Sequence, residues 1–185
     1  CMHSPIDAIL KLVKEHTIQL EHIKEVRVKT YSYNIDLMCG PPPQTIAHAR
    51  LHMPYCLACS LVEGRFTVKE FANEKLRDAK ILALMKKIKF IAADDELNQF
   101  APHLWGTIVT MVTKDGTQYE ERVALPKGEP ENPMGEKELK EKFETLASFR
   151  GIDEKKISEI MGVINRLEKI DDMADLADLA KLLCL

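Results

Sequence analysis

Apolar and polar positions change their spacing several times along the chain, and each change marks an element. Ile6, Leu10 and Val13 recur at helical spacing behind Ser4, a capping residue, and Pro5, suited to a first turn, with Asp7 close after. A helix is predicted from about Ser4 to His16. "EVRVKTYSY" then alternates Val26, Val28 and Thr30 against Arg27 and Lys29, the period of a half-buried strand. Residues 40–43 break the pattern, and Pro54 suits a helix only in its first turn, so a helix is read from about Met53 to Val62, stopped by Gly64. Thr67 and Asn73 are read as caps, the first of a short helix and the second of the longer "EKLRDAKILALMKKI", whose Leu76, Ile81, Leu82 and Met85 form a stripe. "KIKFIA" reads as a short strand.

In "GTIVTMVTKDGTQYEERVAL" two alternating runs flank Asp115 and Gly116, the dipeptide preferred in two-residue hairpin turns. The second run is expected to end near Leu125. Helices mixed with antiparallel strands imply an α+β fold, a two-layer α/β sandwich and not a doubly wound sheet.

Residues 126–135 then hold Pro126, Gly128, Pro130, Asn132, Pro133 and Gly135, a stiff stretch longer than the usual connection of about four to six residues. Beyond it the pattern is wholly helical, with Leu139, Phe143 and Leu146, then Ile157, Ile160, Ile164 and Leu167, then Leu176, Leu179 and Leu183. The expected organisation is an α+β domain over 1–125, a connector over 126–135 and a helical segment over 136–185. Three amphipathic helices of this size bury little unless they dock on something, and the something is expected to lie outside this chain. Cys1 in place of an initiating methionine fits a segment cut from a longer protein.

Composition narrows the function classes. The chain of 185 residues is 45% hydrophobic and 30% charged, with a formal charge of -3, which provides no electrostatic case for nucleic acid. With neither an apolar run near eighteen residues nor a secretory signal, no membrane partner is expected and a cytoplasmic location follows by default. Five cysteines without framework spacing fit reduced thiols.

Candidate chemistry is sparse. Cys56 and Cys59 spell C-x-x-C, but no second pair completes a zinc site, and buried reduced cysteine on an apolar helix face is favoured. His48 and His52 have the i, i+4 spacing that lets two imidazoles share a metal, yet Pro54 argues against one unbroken helix through both. His3, at the start of the first helix, is either a capping or solvated residue or a cleft residue near an anion-attracting helix end. Tyr31, Tyr33 and Tyr55 read as packing residues with satisfied hydroxyls or as acids. The P-loop, dinucleotide and nucleophile-elbow signatures are all missing.

Three segments in order carry a resemblance. "MHSPIDAILKL" resembles the H-x-x-[IV]-D-A opening of the C-terminal half of MmgE/PrpD proteins. "ARLHMPYCLACSLVEGRFT" is similar to that family's A-[RK]-x-S-x-x-Y-x-x-A segment, with His52 where serine is commoner. "DGTQYEERVALPKGEPENPMGEKELKEKF" resembles its D-G…G-x-x-x-x-P…L-x-x-K-F signature.

The resemblance implies an α+β lid domain followed by helices that return to an N-terminal helical domain outside this chain. It also implies a lyase or isomerase of small di- or tricarboxylates that is 2-methylcitrate dehydratase-like, works without cofactor or metal, and is homodimeric in full-length form. Most acid/base residues would lie in the other domain, leaving the isolated chain inactive. From this chain the resemblance implies Tyr33, in the 31–36 loop, as a catalytic residue and His3, Arg50 and Tyr55 as substrate contacts. The rival expectation is a freestanding interaction module that binds a protein partner through Leu139, Phe143, Ile160, Ile164, Leu176 and Leu179.

Overall fold

The computed structural model describes residues 1–170, and the chain divides into two compact units, 1–133 and the part from 134 onward. The third predicted C-terminal helix, with Leu176, Leu179 and Leu183, lies outside the described residues.

In the first unit the α+β expectation holds. Helix α1 (His3–His16) begins one residue earlier than predicted, because the Met2 carbonyl already accepts the Ile6 N–H at 3.2 Å. Ser4 does not cap it but is buried in its first turn, with Ile6, Ile9 and Leu12 forming the inward stripe. Strand β1 (Ile23–Thr30) buries Val26, Val28 and Thr30, as its alternation predicts.

The strand stops at Thr30, and the 31–36 stretch is not a loop. It forms most of α2 (Ser32–Met38), whose end is capped from a distance: Asp94 accepts the Ser32 N–H at 3.2 Å and the Ser32 hydroxyl at 3.1 Å. Because the capping group is 62 residues away in sequence, no local pattern announces this helix.

A short α3 (Ile46–Ala49) precedes α4 (Met53–Glu63), with the break at Arg50 and Leu51. Pro54 sits in the first turn of α4, and Gly64 closes the helix in the left-handed region at φ 64°, where a Cβ would be strained. This helix is buried nearly all round, from Met53 to Leu61 with the exception of Pro54, as expected of a helix that is apolar on every side.

Downstream the predicted long helix splits into a short 3-10 turn (Lys75–Arg77) and α5 (Ala79–Met85). Its cap is Asp78, not Asn73, since Asp78 is extended and accepts the N–H groups of Lys80 and Ile81. Ile81 and Leu84 are the buried pair, and Leu82 is exposed.

Strand β2 (Ile88–Ala92) follows, then a short α6 (Asp94–Leu97) that the sequence pattern did not suggest, and the hairpin β3 (Thr107–Thr113) and β4 (Gln118–Val123). The hairpin loop holds three residues and not two. The Thr113 N–H donates to the Thr117 carbonyl at 2.9 Å, and Gly116 takes φ 90°, the geometry of a three-residue loop with a glycine bulge. Strand order is β2-β1-β3-β4, with β1–β3 and β3–β4 antiparallel and β1–β2 parallel.

Register places Val26, Met111 and Tyr119 in one row and Val28, Val109 and Glu121 in the next. This face packs against α1, α4 and α5, and Lys11 of α1 meets Glu121 at 2.9 Å. Each fully buried aliphatic side chain in this layer contributes about 1.5–3 kcal/mol. On the opposite face Ile108 is covered by Tyr31, Leu97 and Phe100, while the half-buried Arg27 donates to the exposed Gln118 at 2.7 Å.

The connector starts as a pinned turn. Asp7 accepts the Lys127 N–H at 2.8 Å, the Asn132 amide donates to the Leu125 carbonyl at 3.0 Å, and the Gly128 N–H reaches the Asn132 carbonyl at 2.8 Å.

In the second unit α7 (Glu136–Phe149) starts with Glu138 accepting the Gly135 N–H at 2.9 Å, and α8 (Glu154–Ile164) is capped by Asp153. Ala147, Ile157 and Ile160 are buried, whereas Leu139, Leu146, Phe149 and Ile164 are exposed. Ile160 is therefore unavailable to an outside partner.

Candidate functional site

The candidate residues of the first unit fall into two groups. In the first, His3 is the exposed opening residue of α1, and Tyr33 lies in the first turn of α2, 47% exposed. They are linked through the chain start, because the Tyr33 hydroxyl lies 2.8 Å from the Cys1 thiol. One turn after His3, burial pushes the Asp7 carboxyl above the usual carboxylate range, and the Lys127 N–H bond and the nearby His3 oppose that rise.

Two neighbours hold Tyr33 in place. Tyr31 is buried, with its hydroxyl donating to the Leu97 carbonyl at 3.2 Å. Asn34, only 2% exposed, donates to the Thr30 hydroxyl at 2.9 Å while its carbonyl oxygen has no protein partner. Sequence reasoning passed over Asn34 because it took this stretch for a loop.

The second group surrounds residues 70 and 71. Arg50 is exposed in the break between α3 and α4, its guanidinium carbon 5.8 Å from the centre of the Phe71 ring, within reach of a cation–π contact. Tyr55, the other expected substrate contact of this group, is placed in the interior. It is fully buried, and its hydroxyl donates to the Glu70 carbonyl at 2.9 Å, with burial raising its pKa strongly. It thereby anchors residue 70, next to the Phe71 ring under Arg50. The Glu70 carboxylate is buried and accepts from the backbone and hydroxyl of Thr67, closing the turn after Gly64.

His52 ties the second group to Gly40, two residues beyond the end of α2. Its ring is 2% exposed, accepts the Tyr55 N–H at 3.1 Å on Nδ1 and lies 2.9 Å from the Gly40 carbonyl through Nε2. With both ring nitrogens engaged, and with His48 on a separate helix packed edge-on at 5.8 Å, the histidine pair lacks metal-binding geometry. Among the described residues no cluster of three or more His, Cys, Asp or Glu side chains could hold a metal ion. Cys56 and Cys59 are free and buried, each thiol pushed up to about 12 by desolvation, which makes them poor nucleophiles.

Cation, imidazole and phenol are thus offered at the surface by Arg50, His3 and Tyr33, groups of the kinds that bind carboxylates and exchange protons, although Arg50 lies apart from the other two. No helix among the described residues is long and apolar enough to cross a membrane.

Comparison with known proteins gives a consistent result. Residues 1–166 match the family model of the MmgE/PrpD C-terminal domain. The chain is 27% identical over 148 residues to cis-aconitate decarboxylase of Mus musculus, covering 80% of this chain and 29% of that protein. It is also 27% identical over 176 residues to the cis-aconitate decarboxylase-like protein oryM of Aspergillus oryzae, covering 90% of this chain and 35% of that one. The chain spans about a third of the length of these relatives.

Proposed function

The chain belongs to the MmgE/PrpD family, as its C-terminal domain, and from that premise we propose that it forms the lid of a lyase acting on a small di- or tricarboxylate. The observation that carries this reading is the family match over residues 1–166, which spans all three motif segments. The names of the two relatives favour cis-aconitate as the first substrate to test, with 2-methylcitrate, the acid of a dehydratase-like reaction, as the second.

In this reading the substrate carboxylates are held by Arg50 and by His3, both exposed. Losing carbon dioxide or water beside a carboxylate shifts negative charge onto carbon or oxygen, and a positioned acid must supply a proton. Tyr33 is the group of this chain suited to that step: the residue is half-exposed and its hydroxyl lies 2.8 Å from the Cys1 thiol. The remaining acid/base groups belong to a helical domain outside this chain, and the whole protein works as a homodimer in the cytoplasm without cofactor or metal.

The test is turnover of cis-aconitate and 2-methylcitrate by the whole protein, alongside residues 1–185 alone. Turnover by the whole protein and none by the isolated chain is expected; full turnover by the isolated chain would refute the division of labour.

A further inference from the structure

We infer that His52 is a positioning residue, a clamp that fixes the segment carrying Arg50 against the helix carrying Tyr33. The inference rests on the proposed role of Arg50 as a substrate contact, and the geometry is specific. The Tyr55 N–H can only donate, so Nδ1 of His52 must be its acceptor and carries no proton. The neutral ring then carries its proton on Nε2 and donates it to the Gly40 carbonyl at 2.9 Å.

This bond closes the stretch from Gly40 to His52, which contains Arg50 and starts two residues after α2 ends at Met38. Pro41, Pro42 and Pro43 stiffen the closed stretch. Arg50 donates its N–H to the Ile46 carbonyl at 3.2 Å and lies over the Phe71 ring, and the neighbouring Ala49 carbonyl is tied to α4 by the His52 N–H at 3.1 Å. Release of Gly40 would free the stretch from Gly40 into α3, and with it the tie between the end of α2 and the Arg50 segment, while the body of α4 kept its own packing.

The two bonds can be separated by substitution. Serine at position 52 can still accept the Tyr55 N–H as a helix cap, but it is too short to reach Gly40. Alanine loses both bonds.

The test has two arms. In the 1–185 chain, nitrogen NMR of the imidazole should show His52 neutral with the proton on Nε2. His52→Ser should retain the α4 amides in hydrogen exchange but lose protection at Cys39, Ala49 and Arg50 by about tenfold or more. A proton on Nδ1, or unchanged protection at those three amides, overturns the clamp. In the whole protein, His52→Ser should raise KM for the carboxylate severalfold with kcat held within about twofold, the signature of lost uniform binding. An unchanged KM beside lost protection would make the clamp structural only and overturn the positioning role. A wild-type protein that turns over neither acid refutes the proposed function instead, and removes the positioning role with it, while the first arm still reads the clamp.

Discussion

Asp7 and Lys127 are joined across 120 residues by one bond, the Asp7 carboxylate accepting the Lys127 N–H at 2.8 Å. The aspartate of the opening motif thus holds the chain where it leaves the hairpin for the connector, and this explains why the connector is short of freedom as well as rich in proline. Losing the bond in Asp7→Ala should cost about 1 kcal/mol. Asp7→Asn retains an acceptor without a desolvated charge and should be as stable as wild type or slightly more so at neutral pH. The sign follows from burial. A carboxyl raised in the folded state favours folding most when protonated, so its contribution is present below the ordinary value of 3.8 and declines as pH rises through the folded value. The advantage of the asparagine variant should therefore grow over that interval and then level off, as denaturant midpoints at several pH values would show. Equal destabilisation by alanine and asparagine would contradict this.

His52 should give the opposite pH dependence. Desolvation lowers its pKa below the ordinary 6.5, the Gly40 bond opposes that shift, and His48 adds to it. A protonated ring would turn a donor toward the Tyr55 N–H. The stability contribution is present above 6.5 and is lost as pH falls from there through the folded value. In His52→Ser this component should vanish from the acid limb of a thermal melt series, and in His48→Ala the limb should shrink, because the folded value rises toward 6.5 and less stability is lost below it. An acid limb identical in all three proteins would remove His52 as its source.

Tyr55 and Arg50 should separate stability from binding. Tyr55→Phe leaves the buried Glu70 carbonyl without its donor and should cost about 1–2 kcal/mol with KM unchanged. Arg50→Ala, at an exposed position, should leave stability within about 0.5 kcal/mol and raise KM. A reversed pattern in chemical denaturation and steady-state kinetics would return Tyr55 to the ligand side.

Gly106 lies where a Cβ would run into the Phe100 ring, under the small cluster of Tyr31, Leu97 and Ile108. Gly106→Ala should destabilise by about 1–3 kcal/mol through overpacking, and the loss should shrink in a Gly106→Ala, Phe100→Leu double variant. Strict additivity of the two substitutions would rule out the clash.

Much of this was legible in the residues. Alternation in β1 and in the hairpin, Pro54 with Gly64 around α4, and the change of period after residue 135 all reflect local periodicity, and local rules recover them. What escaped depended on distant partners or on loop detail. Helix α2 is capped by Asp94 from just beyond the adjacent strand β2, Asp78 and not Asn73 has the extended backbone and the two N–H bonds that start α5, and the Asp115–Gly116 signal fits two hairpin loop lengths. At the candidate site, His3, Tyr33 and Arg50 are exposed, and the burial of Tyr55 could not be read from a motif that a packing tyrosine satisfies equally well. His52 was noted only for its spacing to His48 and as a replacement for serine; its cap of α4 and its bond to Gly40 emerge from the structure.

The central claim is that this domain contributes reacting and binding groups to a carboxylate-cleaving site. The most direct measurement is steady-state turnover of cis-aconitate and 2-methylcitrate by the whole protein, as wild type, His3→Ala and Tyr33→Phe, with folding checked by thermal melts. The account predicts measurable wild-type turnover of one acid, a fall in kcat of about 100-fold or more for Tyr33→Phe, and a severalfold loss of kcat/KM for His3→Ala, all with unchanged melting. Wild-type turnover that survives both substitutions intact would contradict it, leaving the domain as a closure element without chemistry of its own.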